Sequence, residues 1–358
     1  MATVVNWFFA MPLSWIYEKI VERRNKRFDS GATPSFDLGA RTISIGNITT
    51  GGTGKTPLVI LTAEILAARG KRVCILTRGY GRRDPKKRVL VSNGKEILSD
   101  VGKSGDEPME MAKKLLGKAI VVADADRVAA AKWAKEQFGV NTFILDDGFQ
   151  HRRAKRDLDI VCIDATDPFG GGRMLPFGRL REPLHDLRRA DAIVITRSDL
   201  TTAADNKPRL QELRSEIARC APDVPVFTAT TKMSNVLPLG RFLGRVPDAA
   251  RDDSSQFTGI AHAKAFAFCA LGNPDAFFGQ LRRDNFDLAG QLAFADHHFY
   301  SAKDILAIQK QATETGAGFL LTTPKDAVKF EGSKFDMPCF VLESSLVISD
   351  REKFAGLL

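Results

Sequence analysis

The feature that most constrains this chain is a glycine-rich segment that lies between a short apolar stretch and a Lys-Thr pair, Ile43–Thr56. Glycines let backbone N–H groups converge on a phosphate, and a helix that begins at the end of the loop adds its partial positive charge. Lys55 would reach the β- and γ-phosphates of a nucleotide, and the Thr56 hydroxyl would bind Mg²⁺. The sequence therefore predicts a nucleotide-binding strand–loop–helix unit, with a purely structural glycine-rich turn as the alternative.

The loop departs from the usual GxxxxGK[ST] pattern at one position, because Thr49 stands where the first glycine is expected. The apolar strand before the loop and the helical pattern after it compensate for this loss. The predicted nucleotide-binding residues are Thr49, Thr50, Gly51, Gly52, Thr53, Gly54, Lys55 and Thr56.

A second apolar strand, Phe143–Leu145, ends in two consecutive carboxylates, Asp146 and Asp147. In proteins with such a loop, another strand end supplies the acidic group that holds the metal or its water. An isolated Asp pair after a strand is more often a turn and helix cap. Behind a phosphate loop, we interpret it as part of a Mg²⁺ site.

The segment that follows a third strand bears on which base the nucleotide carries. Thr196-Arg197-Ser198-Asp199 is similar to the NKxD guanine reader of GTPases, with Thr in place of Asn and Arg in place of Lys. Because the Asn is missing, we favour ATP over GTP. A simple turn at the end of the strand is the alternative.

Short apolar runs alternate with helical patterns along most of the chain, which is typical of an α/β protein with a mostly parallel sheet. Helices are predicted over Thr56–Arg69 and Asp124–Phe138, after a cap at Asn273-Pro274, and after a capping box at Ser301-x-x-Asp304. The predicted strands are Thr42–Ile45, Arg72–Thr77, Ala119–Ala123, Thr142–Leu145, Ile160–Ile163, Ala192–Thr196, Ala265–Ala270, Phe319–Thr322 and Cys339–Leu342.

The net charge indicates which partners the protein can bind, and the cysteine pattern indicates the redox state of its compartment. The formal net charge of +9 favours anionic partners such as phosphorylated substrates, nucleic acid or an anionic membrane surface. The five cysteines form no CxxC motif, so we interpret them as small buried residues in a reducing compartment. The hydrophobic fraction of 44% excludes a disordered chain or a collagen-like fibre.

The N-terminus combines an apolar, aromatic run, Val4–Tyr17, with a following basic tract. The run is too short to span a bilayer comfortably, which needs about 20 residues. It either lies in a membrane interface, with Trp7, Phe8, Phe9, Trp15 and Ile16 inserted and Arg23, Arg24, Lys26 and Arg27 on the lipid phosphates, or it docks on the protein's own core. Both interpretations stay open at this stage.

The length of 358 residues suggests two domains. We predict an N-terminal membrane-associated helix over residues 1–30, a P-loop core over 31–227, a linker over 228–259 and a smaller C-terminal α/β domain over 260–358. We assign residues 228–259 to a linker because this segment is rich in Pro, Gly, Asp and Ser.

Several further segments have no generic explanation in a phosphate-loop protein. They are Arg78-Gly79-Tyr80-Gly81, Gly105-Asp106-Glu107-Pro108, Asp126-Arg127, Asp146–His151, Leu175–Pro183, Asp296-His297-His298 and Thr323–Val328. In this order, and together with the loop, they closely resemble the tetraacyldisaccharide 4′-kinase family. The resemblance extends from Pro12 to about Val328.

The resemblance implies transfer of the ATP γ-phosphoryl group to the 4′-hydroxyl of an acylated glucosamine disaccharide 1-phosphate, a lipid A precursor, at the cytoplasmic face of the bacterial inner membrane. It implies Asp106 as general base with His297 as its partner, and a catalytic role for Lys55 and Arg181. It also implies Glu182 as a Mg²⁺-associated carboxylate beside Thr56, Asp146 and Asp147. The substrate-side residues that it suggests are Asn47, Arg78, Tyr80, Glu107, Arg127 and His151.

These implications give an ATP- and Mg²⁺-dependent kinase that acts on a lipid at a membrane surface, without a nucleic-acid partner and as a monomer. One departure is Pro324, where such enzymes more often carry Glu. Rival interpretations are a GTPase switch or metal-insertion chaperone, a non-catalytic membrane-bound ATP sensor, and a kinase for a soluble sugar.

Overall fold

The computed structural model describes residues 2–200, 210–245 and 263–358, with side chains from Pro12 onward. Within them, one sheet of 12 strands has the order β10-β9-β11-β12-β8-β7-β6-β1-β5-β2-β4-β3. The strands are β1 (Arg41–Asn47), β2 (Val73–Thr77), β3 (Val89–Ser92), β4 (Ala119–Ala123), β5 (Thr142–Asp146), β6 (Leu158–Asp164), β7 (Ala192–Thr196), β8 (Val226–Pro238), β9 (Ala265–Cys269), β10 (Leu288–Ala293), β11 (Phe319–Thr322) and β12 (Cys339–Ile348).

Helices cover both faces of this sheet. They are α1 (Ala2–Asp29), α2 (Lys55–Ala68), α3 (Val101–Ser104), α4 (Asp106–Lys114), α5 (Arg127–Phe138), α6 (Leu210–Cys220), α7 (Leu239–Phe242), α8 (Pro274–Arg283), α9 (Ala302–Glu314), α10 (Pro324–Ala327) and α11 (Arg351–Leu357). Two 3₁₀ helices span Leu184–Arg189 and Val328–Phe330.

The N-terminal half of the sheet is parallel except for its edge strand β3, and its strands are buried on both faces. In β2, Val73 and Ile75 pack into one hydrophobic cluster, while Cys74 and Leu76 pack into another on the opposite side. Strands buried in this way read as continuous apolar runs, which is why the sequence predicts them well. All nine predicted strands are present, and the predicted α/β fold class with a mostly parallel sheet is confirmed.

The predicted helix boundaries hold to within a few residues because side chains cap the helices. Asp126 accepts from two backbone N–H groups at the start of α5, Asn273 caps α8, and Ser301 forms a capping box with Asp304 in front of α9. Gly139 ends α5 with a φ of 60°.

The interpretation of 228–259 as a linker is wrong for its first part. Residues 226–238 form β8, which pairs parallel with β7 and antiparallel with β12, and so joins the two halves into one sheet. The strand is polar and partly exposed over Lys232–Asn235, so it lacks the apolar run that identifies the others. Residues 246–259 of the predicted linker lie outside the described residues.

The helix α1 has one docked face and one exposed face. Val21 packs into a hydrophobic cluster, Ser14 donates to the Met174 carbonyl, and the Asn25 amide donates to Asp186. The docked interpretation therefore holds for this face, while Trp15 and Ile16 are exposed. The side chains of Trp7, Phe8 and Phe9 lie outside the described residues. In the part of the chain that the structure covers, no helix is both long and apolar enough to cross a membrane.

Candidate active site

The phosphate loop lies between the carboxyl end of β1 and the first turn of α2. Gly51 and Gly54 adopt φ values of 105° and 79°, which favour glycine, and a Cβ at Gly51 would meet the Arg179 guanidinium at 2.3 Å. Arg179 donates to the Thr50 carbonyl, and the Thr50 N–H donates back to the Arg179 carbonyl at 2.8 Å. These contacts fix the backbone of the loop in front of the first turn of α2.

The segment that is similar to a guanine reader supports this loop instead of a base. Thr196 donates through Oγ1 to the Thr53 carbonyl at 2.8 Å, and Arg197 donates to the Gly52 carbonyl at 2.7 Å and pairs with Asp164. These contacts therefore favour the interpretation of Thr196–Asp199 as a turn at the end of β7 over that of a guanine reader.

The two carboxylates at the end of β5 have opposite surroundings. Asp147 binds both guanidinium nitrogens of Arg181, at 2.7 and 3.1 Å, and lies 3.4 Å from the Lys55 ammonium. Asp146 accepts one hydrogen bond, from the Thr77 hydroxyl at 2.7 Å. Asp147 has a φ of 53°, a strained value for a residue other than glycine, which sets this carboxylate toward the two cations.

These surroundings move the two pKa values apart. Burial alone would raise the pKa of Asp147, but the charges of Lys55 and Arg181 outweigh it and hold the pKa well below its usual range. Burial, with the nearby Glu107 and Asp147, raises the pKa of Asp146 to about 6. The protein therefore stabilises the charged form of Asp146 less well than that of Asp147.

Next to the loop is a cavity of about 440 Å³. Its wall joins elements from both halves of the sheet and includes most of the predicted site residues. Those on the wall are Thr49, Thr50, Gly51, Gly52, Thr53, Gly54, Lys55, Thr56, Arg78, Tyr80, Glu107, Asp146, Asp147, Arg181 and His297.

Asp106 and His297 meet at one side of this cavity, although 191 residues separate them in the chain. The His297 Nδ1 lies 2.9 and 3.1 Å from the two oxygens of Asp106. Asp106 is only 3% exposed, while His297 lies on the wall of the cavity and has a φ of 60°. His297 is thus the member of the pair that a ligand in the cavity can touch.

Two lysines complete the surroundings of this pair. The fully buried Lys329 lies 3.1 Å from both Asp106 and Asp326. Lys325 bridges Glu107 at 3.2 Å and Asp296 at 2.9 Å. Lys329 is not among the predicted site residues, and its only signal in the sequence is its position directly after the Thr323–Val328 motif.

The charges of these groups set the pKa values of the pair. Burial would raise the pKa of Asp106, but the His297 hydrogen bond and the charges of Lys325 and Lys329 hold it well below its usual range. The same hydrogen bond raises the pKa of His297, against burial and the charge of Lys325. Both lysines favour the charged form of Asp106, whereas Lys325 disfavours the charged form of His297.

Three predicted substrate-side residues lie behind the wall. Asn47 is buried and donates to the Thr53 hydroxyl at 2.9 Å, while its oxygen accepts from Arg181. Arg127 is buried and donates to the Ala125 carbonyl. Burial and neighbouring arginines lower the pKa of His151 to about 4. None of the three is on the wall of the cavity.

Glu182 requires a correction as a Mg²⁺-associated carboxylate. It is fully buried away from the cavity wall, and its two oxygens bind Arg24 of α1, at 2.5 Å, and Arg189. Each oxygen is thus paired with a guanidinium group, and Glu182 is not on the wall of the cavity that holds the phosphate loop. Through Arg24, Glu182 ties α1 to the body of the protein.

Arg78 and Tyr80 form an exposed unit at the mouth of the cavity. The Arg78 guanidinium lies 5.1 Å from the centre of the Tyr80 ring and donates to its hydroxyl at 3.1 Å. Both side chains lie on the wall of the cavity.

Together, a phosphate loop at a strand end, a paired acidic strand end and an Asp–His pair on one cavity define an α/β P-loop phosphotransferase. The model of the tetraacyldisaccharide-1-P 4′-kinase family matches residues 6–358, and the chain belongs to this family of kinases. The resemblance drawn from the motifs is confirmed.

Relatives match along nearly the whole chain. The tetraacyldisaccharide 4′-kinase of Geobacter metallireducens is 38% identical over 317 residues, which cover 88% of this chain and 86% of that protein. The enzyme of Chlorobium limicola is 34% identical over 97% of this chain and 95% of its own. A crystal structure of LpxK from Aquifex aeolicus in complex with ATP aligns with a TM-score of 0.72 and 34% identity, over 97% of this chain and 96% of that one.

Proposed function

We propose that the protein transfers the γ-phosphoryl group of ATP to the 4′-hydroxyl of a tetraacylated glucosamine disaccharide 1-phosphate at the cytoplasmic face of the inner membrane. The observation that carries the proposal is that one cavity has the phosphate loop and His297, with Asp106 behind it, on its wall. Phosphoryl transfer to an alcohol needs both a phosphate cradle and a group that takes the hydroxyl proton.

ATP is the donor, and its phosphates lie on Thr49–Thr56. The ATP complex of the relative that is 34% identical supports this choice of nucleotide. Lys55 and Arg181, both close to Asp147, supply the positive charge that the transferring phosphoryl group requires. Asn47 holds Arg181 and Thr53 in place and so acts as a positioning residue.

Mg²⁺ fits the oxygens that the cavity offers. Thr56 and Asp146 lie on the wall, and hydroxyl and carboxylate oxygens are the ligands that this ion prefers. Burial and the neighbouring carboxylates raise the pKa of Asp146 to about 6, and a bound cation would stabilise its charged form. The ion would neutralise charge on the phosphates. No group of three or more His, Cys, Asp or Glu side chains that could hold a metal occurs among the described residues, which suits an ion held largely by phosphates.

The Asp106–His297 pair takes the proton of the 4′-hydroxyl. Because Nδ1 of His297 faces Asp106, its Nε2 is the ring nitrogen left for the substrate hydroxyl. Asp106 orients the ring and stabilises the imidazolium that forms. His297 therefore accepts the proton directly, and Asp106 acts on His297 and not on the substrate.

The exposed face of α1 rests on the membrane. Leu13, Ile16 and Ile20 are exposed at helical spacing, with Trp15 beside them. Arg23, Lys26 and Arg27 are exposed on the following turns and would meet lipid phosphates. Arg78 and Tyr80 at the cavity mouth would contact the sugar or its phosphate.

The membrane face is tested by point substitutions, since removing residues 1–27 would also strip Val21 and Asn25 from the core. Ile16→Glu/Ile20→Glu should reduce co-sedimentation with phosphatidylglycerol vesicles about tenfold, because both apolar side chains lose their burial in lipid. Leu306→Glu, at an exposed leucine of α9, is the matched control and should sediment as the unaltered protein does. Equal loss in both proteins would refute the assignment of α1.

The activity is tested by transfer from [γ-³²P]ATP to the acylated disaccharide 1-phosphate in detergent micelles. We expect a labelled lipid with the intact acceptor and none with a 4′-deoxy acceptor. ATP hydrolysis without any labelled lipid would overturn the proposed acceptor.

A further inference from the structure

The wall of the cavity combines polar and apolar side chains. Its polar groups include Arg78, Glu107 and His297, where phosphoryl transfer is proposed. Its apolar side chains are Leu200, Leu271, Phe277, Leu342 and Leu346. A nucleotide whose phosphates bind the loop can place its base against the apolar part of this wall.

The helix α8 runs from the phosphate loop along the wall of the cavity. It begins next to the loop, since a Cβ at Gly272 would lie 2.7 Å from the Gly52 nitrogen. Asn273, Ala276, Phe277 and Gln280 all line the cavity, and their spacing places them on one face of the helix. The axial rise from Asn273 to Gln280 is about 10 Å, which is comparable with the reach of a ribose and a purine ring.

Gln280 ends this stripe with one polar atom still available. The side chain is 5% exposed, and its Nε2 donates to the Thr231 carbonyl and to Asp284, both at 2.9 Å. A carbonyl and a carboxylate can only accept, so the amide nitrogen has to face them and the orientation of the amide is fixed. Its Oε1 accepts no hydrogen bond from the residues that the structure describes, and Gln280 lies on the cavity wall.

We propose that Gln280 is a specificity-determining residue, whose Oε1 accepts a hydrogen bond from the 6-amino group of adenine, while Phe277 and the leucines cover the ring. The proposal rests on the proposed use of a nucleoside triphosphate. Guanine carries a carbonyl oxygen at position 6, so GTP would bring two acceptors together without a proton between them. The fixed amide cannot rotate to offer a donor without losing both of its own acceptors.

The segment Thr196–Asp199 does not compete for this role. Asp199, which occupies the position of the acidic guanine reader, pairs with Arg283 and is not on the cavity wall. Arg283 also donates to the Thr231 carbonyl at 2.7 Å, so the ion pair is fixed to the same carbonyl that holds Gln280. This arrangement removes the negative charge that would bind the guanine N–H groups.

The test is calorimetric titration of the full-length protein with ATP and with purine riboside triphosphate, which has hydrogen at position 6. We expect ATP to bind about tenfold more tightly, the effect of one buried hydrogen bond. In Gln280→Met this preference should fall to about one, through weaker ATP binding alone. Gln311→Met makes the same change at an exposed glutamine of α9 and should keep the tenfold preference.

Equal affinity of the unaltered protein for both nucleotides would overturn the proposal, and this comparison needs no variant to fold. An unchanged preference in Gln280→Met, or an equal loss for both nucleotides, would also overturn it, the latter by indicating a structural role. The lipid-labelling assay is independent. If lipid labelling fails while the ATP preference holds, the acceptor assignment falls and the base-reading role of Gln280 stands.

Discussion

The phosphate loop and the Asp106–His297 pair lie on one cavity but are assembled in opposite ways. The loop is a continuous stretch, Thr49–Thr56, held by backbone conformation and by contacts to carbonyl groups. The pair needs α4, the turn after β10 and the segment that carries Lys329 to come together. A change at the loop therefore removes one contact with the ligand, whereas a change at the pair disturbs a set of mutually balanced buried charges.

The largest effect is expected from the pair itself. Asp106→Asn and His297→Ala should each lower kcat about 10³-fold, because each removes the group that takes the hydroxyl proton or the group that orients it. Since the two act as one unit, the double variant should be no slower than the worse single variant. Steady-state kinetics with the lipid acceptor measures this, and His298→Ala should retain activity within about threefold. Multiplying losses would contradict a single unit.

At the loop, Lys55→Met should lower kcat by about 10²- to 10³-fold, because a fixed charge near the transferring phosphoryl group is lost. The fold should survive, since Lys55 lies at the cavity wall and its partner Asp147 keeps Arg181. Lys118→Met, at a partly exposed lysine paired with Glu64, is the control. Near-normal turnover in a folded Lys55→Met protein would contradict the assignment of the loop.

The stability of the fold should also depend on the buried charges around the pair. Lys329→Met leaves the buried Asp106 and Asp326 without their shared cation and should cost about 3–5 kcal/mol of unfolding free energy. Lys310→Met, at an exposed pair with Glu314, should stay within about 0.5 kcal/mol. Urea unfolding followed by circular dichroism measures both. Similar midpoints for the two variants would contradict a role of Lys329 in charge balance.

The same contrast explains how much of the molecule the sequence predicts. The loop and the buried parallel strands can be predicted from local sequence patterns, namely the spacing of glycines and the apolar runs. β8 does not, because its exposed polar residues have no strand-like pattern and only pairing with β7 and β12 makes it a strand. Likewise, the meeting of Asp106 with Lys329 and the burial of Glu182 between two arginines depend on long-range packing. Glu182 has the residue type of a metal ligand, but it lies off the cavity wall and its oxygens pair with Arg24 and Arg189.

The smallest effect concerns the protonation of His297. Its pKa is raised by the hydrogen bond with Asp106, so the charged ring stabilises the fold fully below its unfolded pKa of about 6.5, and this contribution is lost as the pH rises through the folded pKa. In Asp106→Asn, burial and the charge of Lys325 remain and lower the pKa, against the smaller effect of the Asp296 charge, which raises it. The ring should then titrate at a lower pH than in the unaltered protein. The chain has only five histidines, so NMR titration of their ring protons can resolve the signal of His297. The signal that is missing in His297→Ala identifies it. An unchanged titration in Asp106→Asn would mean that the carboxylate does not control the imidazole, and the cavity would then contain a histidine beside a buried ion pair instead of one coupled unit.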